Sequence, residues 1–267
     1  MMYNDCHLHC TGPTDGADVL RRMDACGMDK ALVCAPQVKT AHDWPASLDA
    51  ITALCAADRS RLIGFAWIEP TLPDAVTHVR MAADRALRGI KMIPNHWYPY
   101  EERLFPAYRA IERARLPVLF HSGILFLNMD SSRFCRPVYY EVMLHFPRIK
   151  FALAHISWPW TDECIAVFGR MRAAVGLEEV PQCQMYVDIT PGTPGAWRAD
   201  VLGKALGYIG PERLIYGSDS RAGADLAGSR RGLEADREFL CGRLGCSEAD
   251  FRRIANQNLD DFLTPFA

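Results

Sequence analysis

The first residues in the chain with the means to do chemistry are Asp5-Cys6-His7-Leu8-His9. They close a short apolar run, Tyr3 to Leu8, that reads as a first strand. Residues i and i+2 of a strand share a face. His7 and His9 therefore aim side by side, with Leu8 turned away. Two imidazoles aimed at one point can bind a divalent metal, provided the rest of the chain brings further nitrogen or oxygen donors. Cys6 and Cys10 flank the pair, but Cys6 should face the other side, so thiol ligation is not the expectation.

The elements that must deliver those donors alternate regularly. Apolar strand-like runs at Tyr3–Leu8, Lys30–Ala35, Leu62–Ile68, Gly89–Ile93, Pro117–His121, Lys150–His155, Met185–Ile189 and Arg213–Gly217 are separated by amphipathic stretches. These stretches read as helices near Ala17–Cys26, 44–58, Asp74–Leu87, Glu101–Ala114, Pro137–Phe146, 161–174, Arg198–Tyr208, 229–243 and 247–263. Short runs rich in Val, Ile, Leu and Phe suit strands covered on both faces. Their alternation with helices implies parallel strands and helical crossovers. Eight such units predict an α/β fold of the (β/α)8 TIM-barrel type, a single domain over residues 1–267. A doubly wound open sheet also fits the alternation, but the first strand-to-helix turn lacks Gly-x-Gly-x-x-Gly. No linker long enough to divide the chain is evident.

In a barrel the C-terminal strand ends share one rim, where active sites lie. His7 and His9 end the first predicted strand, Lys91 lies in the fourth, His121 ends the fifth, His155 ends the sixth and Asp219 follows the eighth. Taken singly, each has a plainer reading. A strand-end His is more often a hydrogen-bonded structural residue than a ligand, Asp at such a turn usually caps a helix, and a lysine can simply pair with a carboxylate. Their convergence on one rim is what points to a metal site. His42, His78 and His145 fall in helices or loops and read as surface residues.

The totals narrow the class. The chain has 267 residues and a net charge of −2, with both signs spread along it. Neither a nucleic-acid-binding nor a membrane-surface protein is suggested, and no apolar run is long enough to span a bilayer. Ten cysteines without a Cys-x-x-Cys, and no basic-then-apolar leader, read as reduced thiols in the cytoplasm.

At these same residues the chain resembles the amidohydrolase superfamily, in particular the amidohydrolase-related branch of aminocarboxymuconate-semialdehyde decarboxylase-like proteins. Asp-Cys-His-Leu-His (5–9) is similar to the family's opening Asp-x-His-x-His. Leu-Phe-His-Ser-Gly (119–123), Ala-Leu-Ala-His (152–155) and Leu-Ile-Tyr-Gly-Ser-Asp (214–219) resemble its strand-five, strand-six and strand-eight segments. Ile254 to Leu263 resembles its closing helix, with Asn258 in the Asn place and Gln257 where the family has Gly. The resemblance implies one catalytic metal, most often zinc, held by His7, His9, His121 and Asp219, with His155 as a catalytic or supporting histidine beside Asp219. In binuclear relatives a strand-four lysine is carbamylated and bridges two metals, so Lys91 is a candidate for a second metal or for the substrate. The resemblance also allows a homodimer, of which the sequence itself carries no sign.

A bound zinc lowers the pKa of its water to ~7, and Asp219 could take that proton and pass it on. The loops beyond the strands carry aromatic residues and arginines: His96 and Trp97 after the fourth strand, the Phe126–Arg136 loop with Arg133, Trp158 after the sixth, and Arg221 after Asp219. An arginine beside a metal suits a small carboxylate-bearing substrate, although most loop arginines are surface charges. The leading expectation is a metal-dependent hydrolase of an ester, lactone or amide bond. The alternative is a lyase, a non-oxidative decarboxylase or hydratase acting on an unsaturated or aromatic acid. A metal-binding protein without catalysis is the weakest reading, since it leaves Asp219 and His155 without a purpose. Fold alone does not separate these.

Overall fold

The computed structural model describes residues 1–126, 132–177 and 180–266. Its parallel strands are β1 (Tyr3–His9), β2 (Met28–Cys34), β3 (Leu62–Trp67), β4 (Gly89–Met92), β5 (Val118–Phe120), β6 (Phe151–Leu153), β7 (Met185–Asp188), β8 (Leu214–Ile215) and β9 (Ser220–Arg221). The sheet runs in the order β8-β7-β6-β5-β4-β3-β2-β1-β9. Its two outer members are pieces of a single stretch of chain, so the sheet closes on itself as a barrel. Closure is carried by backbone bonds from Cys6 N to Tyr216 O (2.9 Å), Asp219 N to His7 O (2.8 Å) and Ala222 N to His9 O (2.9 Å). The expected eighth strand, Arg213–Gly217, is present as the shorter β8, and beyond Asp219, which adopts a left-handed conformation with φ 60°, the chain pairs with β1 again as β9.

Helices α1 (Gly16–Cys26), α2 (Trp44–Cys55), α3 (Ala75–Asp84), α4 (Phe105–Ala114), α5 (Thr161–Ala173), α6 (Gly195–Tyr208) and α7 (Ala227–Arg237) are the barrel crossovers and cover. The first shows why these segments fold as they do. Asp15 accepts from Ala17 N at its start, Gly27 closes it at φ 73°, and Val19 and Met23 are buried at i, i+4 spacing. One expected helix differs in kind: Pro137–His145 is a 3-10 helix. Pro137, Tyr140, Met143 and Phe146 are all buried, and only three residues per turn places that i+3 series on one face.

The strands are covered on both faces, as their composition requires. Outside, they pack against the helices through one large apolar layer that includes Val33, Ile90, Val118 and Val187. Inside, Leu32, Phe65, Leu119, Ala152, Tyr186 and Ile215 meet Leu259, Phe262 and Leu263 of α9 (Asn258–Leu263), the second terminal helix after α8 (Glu248–Arg252). Asn258 fixes that helix by donating to Pro211 O (2.6 Å) and Leu214 O (2.7 Å). The ten cysteines are free. His78, expected on the surface, is buried and stacked on Trp44 with ring centroids 4.2 Å apart. No helix among the described residues is long and apolar enough to cross a membrane.

Candidate metal centre

The strand ends bring His7, His9, His155 and Asp219 together. His7 Nε2 lies 3.1 Å from His9 Nε2, and Asp219 Oδ1 lies 3.0 Å from His9 Nε2 and 3.6 Å from His7 Nε2. Ligand atoms of His7, His155 and Asp219 fall within 4.8 Å of one another. His121 stands next to them, its ring centroid 5.1 Å from that of His155. The sequence reading places His121 in the ligand set and His155 beside it; in the structure His7, His9 and Asp219 are the tightest trio, within 3.6 Å, and His155 comes within 4.8 Å of His7 and Asp219. The reason is local. His155, Ile156 and Ser157 are all left-handed, at φ 62°, 47° and 54°, and the turn they form carries His155 toward β1.

Backbone strain is concentrated here. Among the described residues, the non-glycine positive-φ positions are Ala86, Arg115, His155, Ile156, Ser157 and Asp219. Four of these six belong to the two segments that deliver His155 and Asp219. Such conformations persist only where the surroundings over-determine them. Two glycines make room for the packing that does so. A Cβ on Gly217 would sit 2.7 Å from Thr190 Oγ1 and 2.9 Å from His7 Cβ, and one on Gly192 would sit 2.9 Å from His155 Cβ.

Three of the imidazoles, those of His7, His155 and His121, have one nitrogen engaged by an oxygen that only accepts. His7 Nδ1 is 2.7 Å from Asp188 Oδ2, His155 Nδ1 is 3.2 Å from Pro191 O, and His121 Nε2 is 3.2 Å from Ile124 O. These partners assign the tautomers. The proton sits on the outer nitrogen, and His7 Nε2, His155 Nε2 and His121 Nδ1 are left as lone pairs. Burial, reinforced by Lys91, holds His7 well below the ordinary imidazole range. Burial and the adjacent His155 do the same for His121, and burial lowers His155. For Asp219 burial opposes ionisation, but His7, the hydrogen bond from His9, and His155 outweigh it and hold the carboxyl well below the usual carboxylate range. Neutral imidazoles and an ionised carboxylate are the donor types a divalent cation requires. Outer partners of this kind are what orient metal-binding histidines.

Asp188, which orients His7, is a residue of the cluster that the sequence reading does not single out. It ends β7 and is fully buried. Its Oδ1 accepts from Thr190 N (2.7 Å) and from the Thr190 hydroxyl. The signal was available, since Asp188 obeys the same strand-end rule as the histidines. Asp5 also proves structural. It accepts from His7 N (2.9 Å), Ser218 N (3.0 Å) and Ser229 Oγ (2.7 Å), tying β1 to the chain between β8 and β9 and to α7, and burial pushes its carboxyl up to about 6.

A cavity of about 530 Å³ opens over the cluster. Its base is His7, His9, Lys91, His121, His155 and Asp219. Its walls include Trp67, Ile93, Leu125 and Trp158, with Arg221 among the lining residues. Lys91 is fully buried, with Nζ 3.1 Å from His7 Nε2. Of the residues expected to bind substrate, Trp158 and Arg221 line this cavity, while His96, Trp97 and Arg133 do not. Trp97 is buried in the core. The half-exposed His96 ring is held by Asn95 and lies 3.6 Å from Glu69. The Arg133 guanidinium lies over the Phe134 ring at 4.7 Å. Residues 127–131 of the Phe126–Arg136 loop lie outside the described residues.

Fold and site together define a TIM barrel with a histidine–aspartate centre on its C-terminal rim. The chain belongs to the amidohydrolase family, whose model, described as Amidohydrolase, matches residues 5–258. Comparison with curated proteins finds no match. Among solved structures, an uncharacterised TIM-barrel protein of Bordetella bronchiseptica is similar at 16% identity and TM-score 0.72, covering 98% of each chain. The 5-carboxyvanillate decarboxylase of Sphingomonas paucimobilis is similar at 14% identity and TM-score 0.69, covering 99% of each chain. The 5-carboxyvanillate decarboxylase of Novosphingobium aromaticivorans, complexed with manganese and 4-hydroxy-3-methoxy-5-nitrobenzoic acid, is similar at 13% identity and TM-score 0.70, covering 98% of this chain and 96% of that one. At these identities the likeness is one of fold.

Proposed function

We propose that this enzyme is a metal-dependent non-oxidative decarboxylase of a small aromatic or unsaturated acid. The observation that carries the reading is Arg221. It lines the cavity beside apolar walls, and its guanidinium has no ion-pair or hydrogen-bond partner among the described residues. A guanidinium with no partner among the described residues, on a cavity also lined by Trp67 and Trp158, suits a planar carboxylate. The decarboxylases that share the fold support the same reading. Ester, lactone or amide hydrolysis, the leading expectation from sequence, uses the same donors but gives Arg221 and the indole walls less to do.

His7, His9 and Asp219, with His121 or His155, would hold one divalent ion, manganese or zinc. That ion would supply positive charge to the substrate's carboxylate and a neighbouring oxygen. Lys91, fixed under His7, would add a second positive charge rather than bridge a second metal. Asp219 is ionised, so its first act is to accept a proton, which a hydroxyl beside the substrate carboxylate can give. It then returns that proton to the ring carbon as the carbon–carboxylate bond breaks. The bonding pair stays with the ring, CO2 departs, and the product oxygen regains a proton from water. Trp67 and Trp158 keep water from the departing carboxylate. His155, with its lone pair inward, can share the proton.

The test is to strip the protein of metal, reload it separately with manganese and zinc, and offer hydroxylated benzoates, 5-carboxyvanillate among them, in parallel with lactones and esters. Metal-dependent CO2 release that falls by ~10²-fold or more in Asp219→Asn is expected. Hydrolysis of a lactone or ester with no CO2 from any acid would overturn the decarboxylase in favour of the hydrolase.

A further inference from the structure

Two of the clustered histidines are oriented by one short strap, residues 188–192. Asp188 takes His7 Nδ1 and the Pro191 carbonyl takes His155 Nδ1, at 2.7 and 3.2 Å. Gly192 lies against the His155 side chain. The strap's inner side is thus occupied by the centre; Ile189 N donates to Ile215 O (2.9 Å), and the Ile189 carbonyl is held by Arg198 on α6. The Arg198 Nη2 donates to Ile189 O (2.5 Å) and to Asp236 Oδ2 (2.6 Å), and its Nε donates to Asp236 Oδ1 (3.0 Å). Both partners are buried, Arg198 at 6% and Asp236 at 4% exposure. Among the described residues its Nη1 has no protein partner, so every contact of the guanidinium goes to the strap or to α7.

We infer that the Arg198–Asp236 pair is a positioning clamp for the centre. It fixes the carbonyl between Asp188 and Thr190, and so sets where Asp188 and Pro191 meet the two imidazoles. A buried ion pair is poor evidence of stabilisation as such, because desolvation offsets its attraction. Its fork geometry is good evidence of a fixed direction. Arg198 reaches neither the cavity nor the clustered donors, so it acts through the strap.

The inference rests on the metal reading of the site, and two readouts keep the two apart. Manganese affinity, measured by equilibrium dialysis well below the melting temperature, is expected to weaken about tenfold in Arg198→Met. Hydrogen exchange in metal-free protein is expected to quicken at the Ile189 and Thr190 amides. Because the clamp works partly through Asp188, Arg198→Met combined with Asp188→Asn should lose less than the product of the two single losses. If Arg198→Met does not fold, Asp236→Asn carries the same measurements, since it keeps the shape and frees the guanidinium. Unchanged exchange at those two amides, or a double loss equal to the full product, overturns the clamp. A wild-type protein that takes up no manganese or zinc overturns the metal reading instead, while exchange in Asp236→Asn still decides the clamp.

Discussion

His7 near the end of β1 and Asp188 at the end of β7 meet over β8, the strand between them, Nδ1 to Oδ2 at 2.7 Å, though 181 positions separate them in the chain. Only an acceptor at that place leaves the His7 Nε2 lone pair facing Asp219 and His9. An amide in place of the carboxylate can present an N–H to Nδ1 and favour the opposite tautomer. Asp188→Asn should therefore weaken divalent-metal affinity ~10–100-fold while leaving the barrel folded. Dialysis against manganese, with circular dichroism as the fold control, measures it.

Arg221 is exposed and lines the cavity, so its removal should cost binding rather than fold. Arg221→Met is expected to raise KM for a carboxylate substrate ~10–100-fold, corresponding to about 1.5–3 kcal/mol for a charge-assisted hydrogen bond, with a smaller change in kcat. Steady-state kinetics on any acid found to be turned over checks this. An unchanged KM would remove the arginine from substrate recognition.

Gly192 has no room for a methyl group, since the added carbon would lie 2.9 Å from His155 Cβ and 3.1 Å from its Nδ1. The least costly relief is a shift of the His155 ring away from Pro191 O. Gly192→Ala should lower kcat and metal affinity together. Its stability cost should stay within the ~1–3 kcal/mol typical of overpacking, read from urea denaturation. Full activity in this variant would mean that the His155 ring position is not critical.

His78 offers a pH test away from the centre. Burial lowers its pKa below the ordinary 6.5, with Asp74 the opposing charge. Below pH 6.5 the unfolded chain binds a proton that the folded imidazole refuses, so stability falls as pH drops through that range and is fully present above it. His78→Phe keeps an aromatic ring against Trp44 and removes the titration. Its loss of unfolding free energy between pH 7.5 and 5 should be smaller than that of the parent. Equal slopes in urea titrations at the two pH values would exclude a contribution from His78.

Much of this was legible in the chain itself. Period-two spacing put His7 and His9 on one face, and the alternation of elements predicted a barrel whose strand ends carry Lys91, His121, His155 and Asp219. Those features are local: a strand's face and end follow from residue type and neighbours a few positions away. The outer hydrogen-bond partners are not local. Asp188, Pro191 and Ile124 find their imidazoles only once the barrel has closed, and the left-handed turn at His155 is held by packing rather than by the residue's own preference. The loops behaved likewise. Trp158 and Arg221 turned to the cavity while Trp97 turned to the core and His96 to Asn95 and Glu69, because loop direction is set by what lies beneath the loop. Which residues could do chemistry was therefore determined by sequence. Which nitrogen of each histidine is free to do it was decided by tertiary structure, through hydrogen bonds between residues far apart in the chain.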